Sequence, residues 1–212
     1  MILAAGAGSR MGHVPKCLIH ADGKTLLERL LGALTPLQAC ETVLVVGHHG
    51  QAIERALAGW PLAQRVRCVT NPAPDESPAG SLRLALGALP SAALHPVMVV
   101  LADQPLLTAR DLTAVWLAYQ ARAVNTEVLW PAVDGRPGHP VVMSPRVVKA
   151  LRDNAVTSLK EWRLQHPDSV ADWISDNPAH TFDLDTLADL QALRDATQLD
   201  WQLPQASDAT PG

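Results

Sequence analysis

Cysteine is scarce in this chain: three residues, Cys17, Cys40 and Cys68, stand far apart in 212 positions with no Cys-x-x-Cys pair. That excludes a disulfide framework and a cysteine-ligated zinc site, and all three read as reduced core residues. Positive charge is short as well. Lysine occurs only at 16, 24, 149 and 160, and 17 Lys and Arg against 21 Asp and Glu leave a formal net charge of −4. No basic footprint is on offer to a nucleic acid backbone or an anionic membrane. No apolar run approaches the roughly 18–20 residues of a membrane span, and the N-terminus lacks the features of a secretory signal, so a cytoplasmic location is expected. Three familiar motifs are also missing. There is no Gly-x-Ser-x-Gly elbow, the first glycine loop has no Gly-Lys-Ser/Thr ending of a P-loop, and its glycines at 6, 8 and 12 miss Gly-x-Gly-x-x-Gly by one position.

What is present suits one compact domain. With 48% apolar and 18% charged residues the chain can fill a core, and at roughly 100–200 residues per domain its length leaves room for little more. Short apolar runs alternate with helical spacings. Met1–Ala4 ends at glycines, and leucines at 26, 27, 30, 31 and 34 mark one helix face. The alternation continues through strand Thr42–Val46, helix Gln51–Leu57, strand Val66–Val69, helix Ser81–Leu89, strand Val97–Leu101 and helix Ala109–Tyr119. Strands apolar on both faces require helices on both sides, so the expected fold is α/β: one doubly wound, mostly parallel sheet covered on both faces. Beyond it come a strand in Thr126–Val133, a turn at Asp134–Gly138, a strand at Pro140–Met143, a helix near Pro145–Arg152, a late strand at Thr181–Leu184 and a helix over Leu187–Ala196. The reading therefore assigns 1–196 to the domain and 197–212 to a flexible tail.

The first loop carries the sharpest signal. Leu3-Ala4-Ala5-Gly6-Ala7-Gly8-Ser9-Arg10-Met11-Gly12 leaves a strand and then reaches Pro15-Lys16. Small residues let backbone N–H groups approach a phosphate closely, while Arg10 and Lys16 add fixed positive charge. Asp103 directly follows the apolar run Val97–Leu101, at the carboxyl end of a parallel strand where open α/β sheets bind ligands, although Asp-x-Pro is also ordinary turn chemistry. Asp185 precedes Thr186 and a helix, so either residue is also a candidate helix cap. His139 sits between Gly138 and Pro140, facing a ligand or forming a structural corner. His48 and His49 have no partner at metal-ligand spacing and read as a solvated loop pair.

This opening segment resembles the signature of the nucleotidyltransferases, and more closely that of the molybdenum cofactor cytidylyltransferases and their guanylyltransferase relatives. Three further segments match in order: Leu101-Ala102-Asp103-Gln104-Pro105, Gly135-Arg136-Pro137-Gly138-His139-Pro140 and Phe182-Asp183-Leu184-Asp185-Thr186. The resemblance implies a Rossmann-like nucleotidyltransferase fold. It implies that Leu3, Ala4, Ala5, Gly6, Gly8, Ser9, Arg10 and Lys16, with Gly80 and Ser81, bind a nucleoside triphosphate. Arg10, Lys16 and Asp103 would be catalytic, Asp103 and Asp185 would hold Mg2+ with Asp183 as the alternative second ligand, and Gly138, His139 and Pro140 would face the acceptor. Ala4-Ala5, where guanylyl-transferring relatives tend to carry glycines, favours CTP over GTP. The implied acceptor is a molybdopterin-type cofactor, and the product would go to a molybdenum hydroxylase apo-enzyme. Another phosphorylated acceptor, such as a sugar phosphate or methylerythritol phosphate, and a non-catalytic cofactor carrier are the alternatives. Leu187-Ala188-Asp189 departs from the Pro-Glu-Asp usual in the family.

Overall fold

A computed structural model of the chain describes residues 1–75, 78–90 and 95–204. Its strands are β1 (Ile2–Ala4), β2 (His20–Ala21), β3 (Lys24–Thr25), β4 (Thr42–Val46), β5 (Val66–Thr70), β6 (Val97–Leu101), β7 (Val128–Val133), β8 (Arg136–Pro137), β9 (Val141–Met143) and β10 (Val170–Ile174). The helices are α1 (Leu26–Leu34), α2 (Gly50–Ala58), α3 (Pro78–Ala88), α4 (Ala109–Gln120), α5 (Pro145–Arg152), α6 (Leu159–Gln165) and α7 (Leu187–Thr197). Eight strands form the main sheet in the order β10-β7-β9-β6-β1-β4-β5, with β8 paired to the end of β7. The pairs β1–β4, β4–β5, β1–β6 and β7–β10 are parallel, and β9 runs antiparallel between β6 and β7.

Alternation along the strands divides the core. Ile2, Leu44, Val46 and Val100 pack on one face against Leu27 and Leu31 of α1, Ile53 and Leu57 of α2 and Leu112 of α4. Val97, Val99, Val128 and Trp130 face the other way, against Leu82 and Leu86 of α3, Val147, Val148 and Leu151 of α5 and Trp162 of α6. Each fully buried aliphatic side chain contributes about 1.5–3 kcal/mol, so both faces must be covered, and the expected doubly wound α/β sheet is what forms. After β1 the chain winds outward through β4 and β5 and then returns to β6 on the opposite side of β1. Such a reversal opens a crevice at the carboxyl ends of β1 and β6. The glycine loop and Asp103 are the residues that leave those two ends.

Three expectations need correction. Thr181–Leu184 is not a strand: the Leu184 N–H donates to the Asp103 carbonyl at 2.9 Å instead of entering a ladder, after a 3-10 turn at Pro178–His180. The strand of this region is β10, which joins β7 in parallel and escapes a pattern reading because its partly covered residues form no apolar run. Nor does the chain fray from residue 197. Trp201 is buried and Gln202 pairs with His20, so the segment is packed as far as residue 202; positions 205–212 of the expected tail lie outside the described residues. Of the cysteines only Cys17 is buried; Cys40 is exposed.

Capping settles a further choice. Thr186 accepts from the Asp189 N–H at 3.2 Å, and Asp189 accepts from the Thr186 N–H at 2.7 Å, so this box starts α7. Asp189 thus has a structural task where the family pattern departs, and Asp185 is spared capping. Thr108 and Asp111 do the same for α4, leaving Asp103 free. Replacing a cap of this kind costs about 0.5–2 kcal/mol. Thr186→Ala should lower the unfolding free energy measured by urea titration by an amount within that range; an unchanged free energy would show that the box contributes nothing.

Candidate functional site

The glycine loop is built from close approaches. Gly8 has φ +61°, and a Cβ there would lie 2.2 Å from the Val14 carbonyl oxygen, so no larger residue fits. Its own carbonyl accepts from the N–H groups of Met11 at 2.9 Å and His13 at 3.0 Å, closing a 3-10 turn over Ser9–Met11. Gly6 differs: nothing lies within 4 Å of its missing Cβ. Its smallness serves an open hollow, lined also by Leu3, Ala4, Lys16, His49 and Asp103. Ala5 is buried beneath it and Ser9 is exposed.

Lys16 stands at the centre. Pro15 leads into a 3-10 turn over Lys16–Leu18 whose Cys17 and Leu18 are buried, which anchors the backbone and points the lysine into the crevice. Its ammonium donates to Asp103 and, at 2.9 Å, to Asp185. Arg10 approaches the other oxygen of Asp185 at 3.2 Å. Burial alone would lower the Lys16 pKa, but attraction from Asp103 and Asp185, with their hydrogen bonds, outweighs it and holds the pKa above the usual value. Asp183 lies beside this group and accepts from the Gln104 amide at 3.0 Å. Burial, then repulsion from Asp103, raises its carboxyl above the ordinary range; the Gln104 bond works the other way. The neighbouring Cys17 thiol is pushed up to about 12 by burial and the Asp103 charge, and so stays protonated.

These residues fit a magnesium ion. Among the described residues no group of three His, Cys, Asp or Glu side chains is arranged to hold a metal unaided. Magnesium does not require one, since it takes one or two carboxylates and completes its octahedron with water and substrate phosphates. Asp103 and Asp185 share one cation already, the Lys16 ammonium, whereas Asp183 is engaged by Gln104. That favours Asp185 over Asp183 as the partner of Asp103.

The turn at Gly138–Pro140 is held equally firmly. Gly138 N–H donates to Pro131 O at 2.7 Å, and a Cβ on Gly138 would lie 2.2 Å from the His180 carbonyl oxygen, so this glycine is required by packing. His139 and Pro140 follow through a cis peptide. His139 N–H donates to His180 O at 2.9 Å, while Nδ1 of the buried His180 lies 3.0 Å from His139 O and must carry the proton, because a carbonyl only accepts. Gln104 also donates to His180 O, at 3.1 Å. Burial pushes the His139 pKa down to about 4 against the opposing pull of Asp103, so the ring is neutral near pH 7. Gly80 and Ser81 open α3; the buried Ser81 hydroxyl accepts from Asn71 at 3.0 Å, just past β5. Glu76 and Ser77, which precede α3 in sequence, lie outside the described residues.

Three contributors escaped sequence reading. His49 is no solvated bystander: it lines the hollow with Lys16 and Asp103, and its Nε2 lies 3.0 Å from the Ala7 carbonyl. Its position one residue before α2, at the carboxyl end of β4, was the available signal. His48 instead pairs with Asp75 at 2.8 Å. Gln104 stood inside a matched segment without a role, and His180 had no pattern at all.

Comparison with known proteins agrees with this geometry. The model of the MobA-like NTP transferase domain matches residues 1–170. The chain belongs to that family. It is similar to the bifunctional protein GlmU of Heliobacterium modesticaldum, 30% identical over 169 residues that cover 76% of this chain and 32% of that protein. It thus spans about a third of the length of the curated relatives it matches. The crystal structure of Rv0371c from Mycobacterium tuberculosis H37Rv is 26% identical with a TM-score of 0.71, over 92% of this chain and 96% of that one. A nucleotidyl transferase from Methanothermobacter has the same fold, at 21% identity and a TM-score of 0.73 over 92% and 94%. No helix among the described residues is long and apolar enough to cross a membrane.

A titration follows from His139. Its folded pKa lies below the unfolded value of about 6.5, so between those limits the unfolded chain binds the extra proton and stability falls as pH drops. The wild-type urea midpoint should therefore decline between pH 6.5 and 4, and less steeply in His139→Gln. Equal slopes would remove His139 as the cause.

Proposed function

We propose that this protein is a magnesium-dependent nucleotidyltransferase that moves CMP from CTP onto the phosphate of a molybdopterin-type cofactor, releasing pyrophosphate. The observation that carries this reading is the Lys16 ammonium held between Asp103 and Asp185 at the mouth of a glycine loop. That is the charge arrangement a triphosphate and its cation require. The motif resemblance supports the choice of CTP and of the acceptor.

In the reaction, an oxygen of the acceptor phosphate forms a bond to the α-phosphorus while the bond from that phosphorus to the pyrophosphate oxygen breaks. The nucleophile is already anionic, so no protein group has to remove a proton. The loop N–H groups from Gly6 to Arg10, with the Arg10 guanidinium, orient the β- and γ-phosphates. Lys16 neutralises the charge that grows on the α-phosphoryl oxygens. Magnesium, held by Asp103 and Asp185, would supply additional charge neutralisation between nucleotide and acceptor. Neutral His139 offers the acceptor a hydrogen bond without trapping its anionic phosphate as a cation would. The product is a dinucleotide cofactor suited to delivery to a molybdenum hydroxylase in the cytoplasm.

The decisive measurement is pyrophosphate release from each of the four NTPs with magnesium and molybdopterin cofactor. Release with CTP alone is expected; release only with a sugar phosphate or methylerythritol phosphate would reassign the acceptor, and none with any NTP would favour a carrier. Lys16→Ala should lower kcat by about 10²–10³ with a smaller effect on NTP binding. If Asp103 and Asp185 act together, each alanine variant should nearly abolish turnover and the double variant be little worse, whereas multiplicative losses would separate them. His139→Ala should raise the acceptor KM, lowering kcat/KM for the acceptor about 10- to 150-fold and leaving the NTP KM nearly unchanged. A rise confined to the NTP KM would move His139 into the nucleotide pocket.

A further inference from the structure

The loops that carry Arg10 and Asp185 rest on one small hydrophobic core, separate from the two faces of the sheet. Met11, Ile19, Leu26, Leu184, Leu190 and Trp201 pack together there, all buried. Met11 is the residue after Arg10, and Leu184 lies between Asp183 and Asp185. Movement in this core therefore moves the cation of the glycine loop and the carboxylates of the late loop relative to each other. Trp201 is its largest member and comes from the last described stretch of the chain, well past the residues that the family model matches.

Directional bonds dock Trp201 there. Its indole N–H donates to Thr197 Oγ1 at 2.9 Å, and its carbonyl accepts from Arg194 Nε at 2.9 Å. The next residue, Gln202, exchanges two backbone hydrogen bonds with His20, of 3.1 and 2.8 Å, which extends the β2–β3 hairpin by one bridge. Arg29 lies 5.1 Å from the centre of the Trp201 ring. Such a dock fixes position as well as adding apolar area, because packed side chains have few alternative arrangements.

We infer that Trp201 is a positioning residue for the nucleotide site: it acts through Met11 and Leu184 to hold Arg10 and Asp185 in register with Lys16. The inference rests on the reading of this site as one that binds a nucleoside triphosphate. A side chain that only added stability would, when removed, lower the folded fraction and leave the ligand affinity of folded molecules unchanged. A positioning side chain weakens that affinity, since small displacements at a charged site are costly.

The test compares Trp201→Ala with Leu151→Ala, which opens the core beneath α5, a different cluster on one face of the sheet. Magnesium–CTP binding is measured by calorimetry, and backbone hydrogen exchange is followed across residues 6–16 and 181–186. For Trp201→Ala, the dissociation constant should rise about 2- to 30-fold, with faster exchange in both loops. For Leu151→Ala, both should match the wild type in folded protein. Wild-type affinity and exchange in folded Trp201→Ala, or equal effects from the two variants, would overturn the inference. Should Trp201→Ala fail to fold, Trp201→Phe decides, with a smaller change in the same direction expected and no change overturning it. If the wild type binds no magnesium–NTP, the nucleotide reading fails, while the exchange data still report whether Trp201 holds the two loops.

Discussion

Two carboxylates share the Lys16 ammonium at the crevice between β1 and β6, and much of the fold is arranged to make that contact possible. Asp103 follows β6 by two residues, and Val97, Val99 and Val100 of that strand are buried, so its position is set by the sheet. Lys16 arrives on a turn pinned by Cys17 and Leu18 in the same core. Asp185 comes from a distant part of the chain, on a loop with no ladder of its own. That loop is held by the Leu184 N–H bond to Asp103 O, by Gln104 on Asp183, and by Leu184 in the core that Trp201 completes. Three partly buried aspartates so close together are unfavourable without compensating charge. The raised Asp183 carboxyl expresses that cost, and Lys16 and Arg10 offset part of it. A divalent cation on Asp103 and Asp185 would relieve more of the same repulsion, which is a physical reason for this site to favour one.

The order of elements divides the work. On the proposed reading the elements before β6 build the nucleotide half: the glycine loop, the His49 contact to Ala7 and the Asn71–Ser81 pair lie around β1, β4 and β5. On the same reading β7, β9 and β10 carry the acceptor half, where an antiparallel strand interrupts the winding, while the late loop with Asp185 returns to the nucleotide side. Asp103 stands on the seam. His180 joins the late loop to the Gly138–Pro140 turn through reciprocal bonds with His139, and Gln104, the residue after Asp103, donates to the His180 carbonyl and to Asp183. A change at the acceptor turn therefore has a short path of directional bonds to the carboxylates.

The parallel core was legible because buried strands and amphipathic helices leave strong local patterns: Val43–Val46 and Val97–Leu101 are uninterrupted apolar runs, and the leucines of α1 repeat at helical spacing. The site loops were legible for a different reason. Backbone approaches as close as Gly8 to Val14 and Gly138 to His180 tolerate only glycine, which leaves residues that stand out in a sequence. What stayed hidden is held by long-range contact. Strand β10 is an edge strand whose register is fixed by β7 and by the Trp130–Asp172 contact, neither visible locally. Trp201 sits in a polar stretch that reads as a tail, and its burial depends on surfaces supplied by residues 11–26 and 184–193. His49 and His180 are ordinary in sequence and acquire a place only when β4 and the late loop are brought to the crevice.

The protonation states of the site constrain the nucleophile it can use. His139, held near 4, is neutral and too weak a base to take a proton from an alcohol at neutral pH. Asp103 and Asp185 are engaged by Lys16 and Arg10, and Asp183 by Gln104, so each carboxylate already serves a neighbouring donor. A hydroxyl acceptor would need one of these groups released to act as its base. A phosphate monoester brings its own negative oxygen and needs only to be positioned against the α-phosphorus, close to the fixed positive charge of Lys16. The same arrangement that makes the site a poor place for deprotonation makes it a good place for joining two phosphates, and on the proposed reading this selects phosphorylated acceptors before any contact with the remainder of the molecule is made.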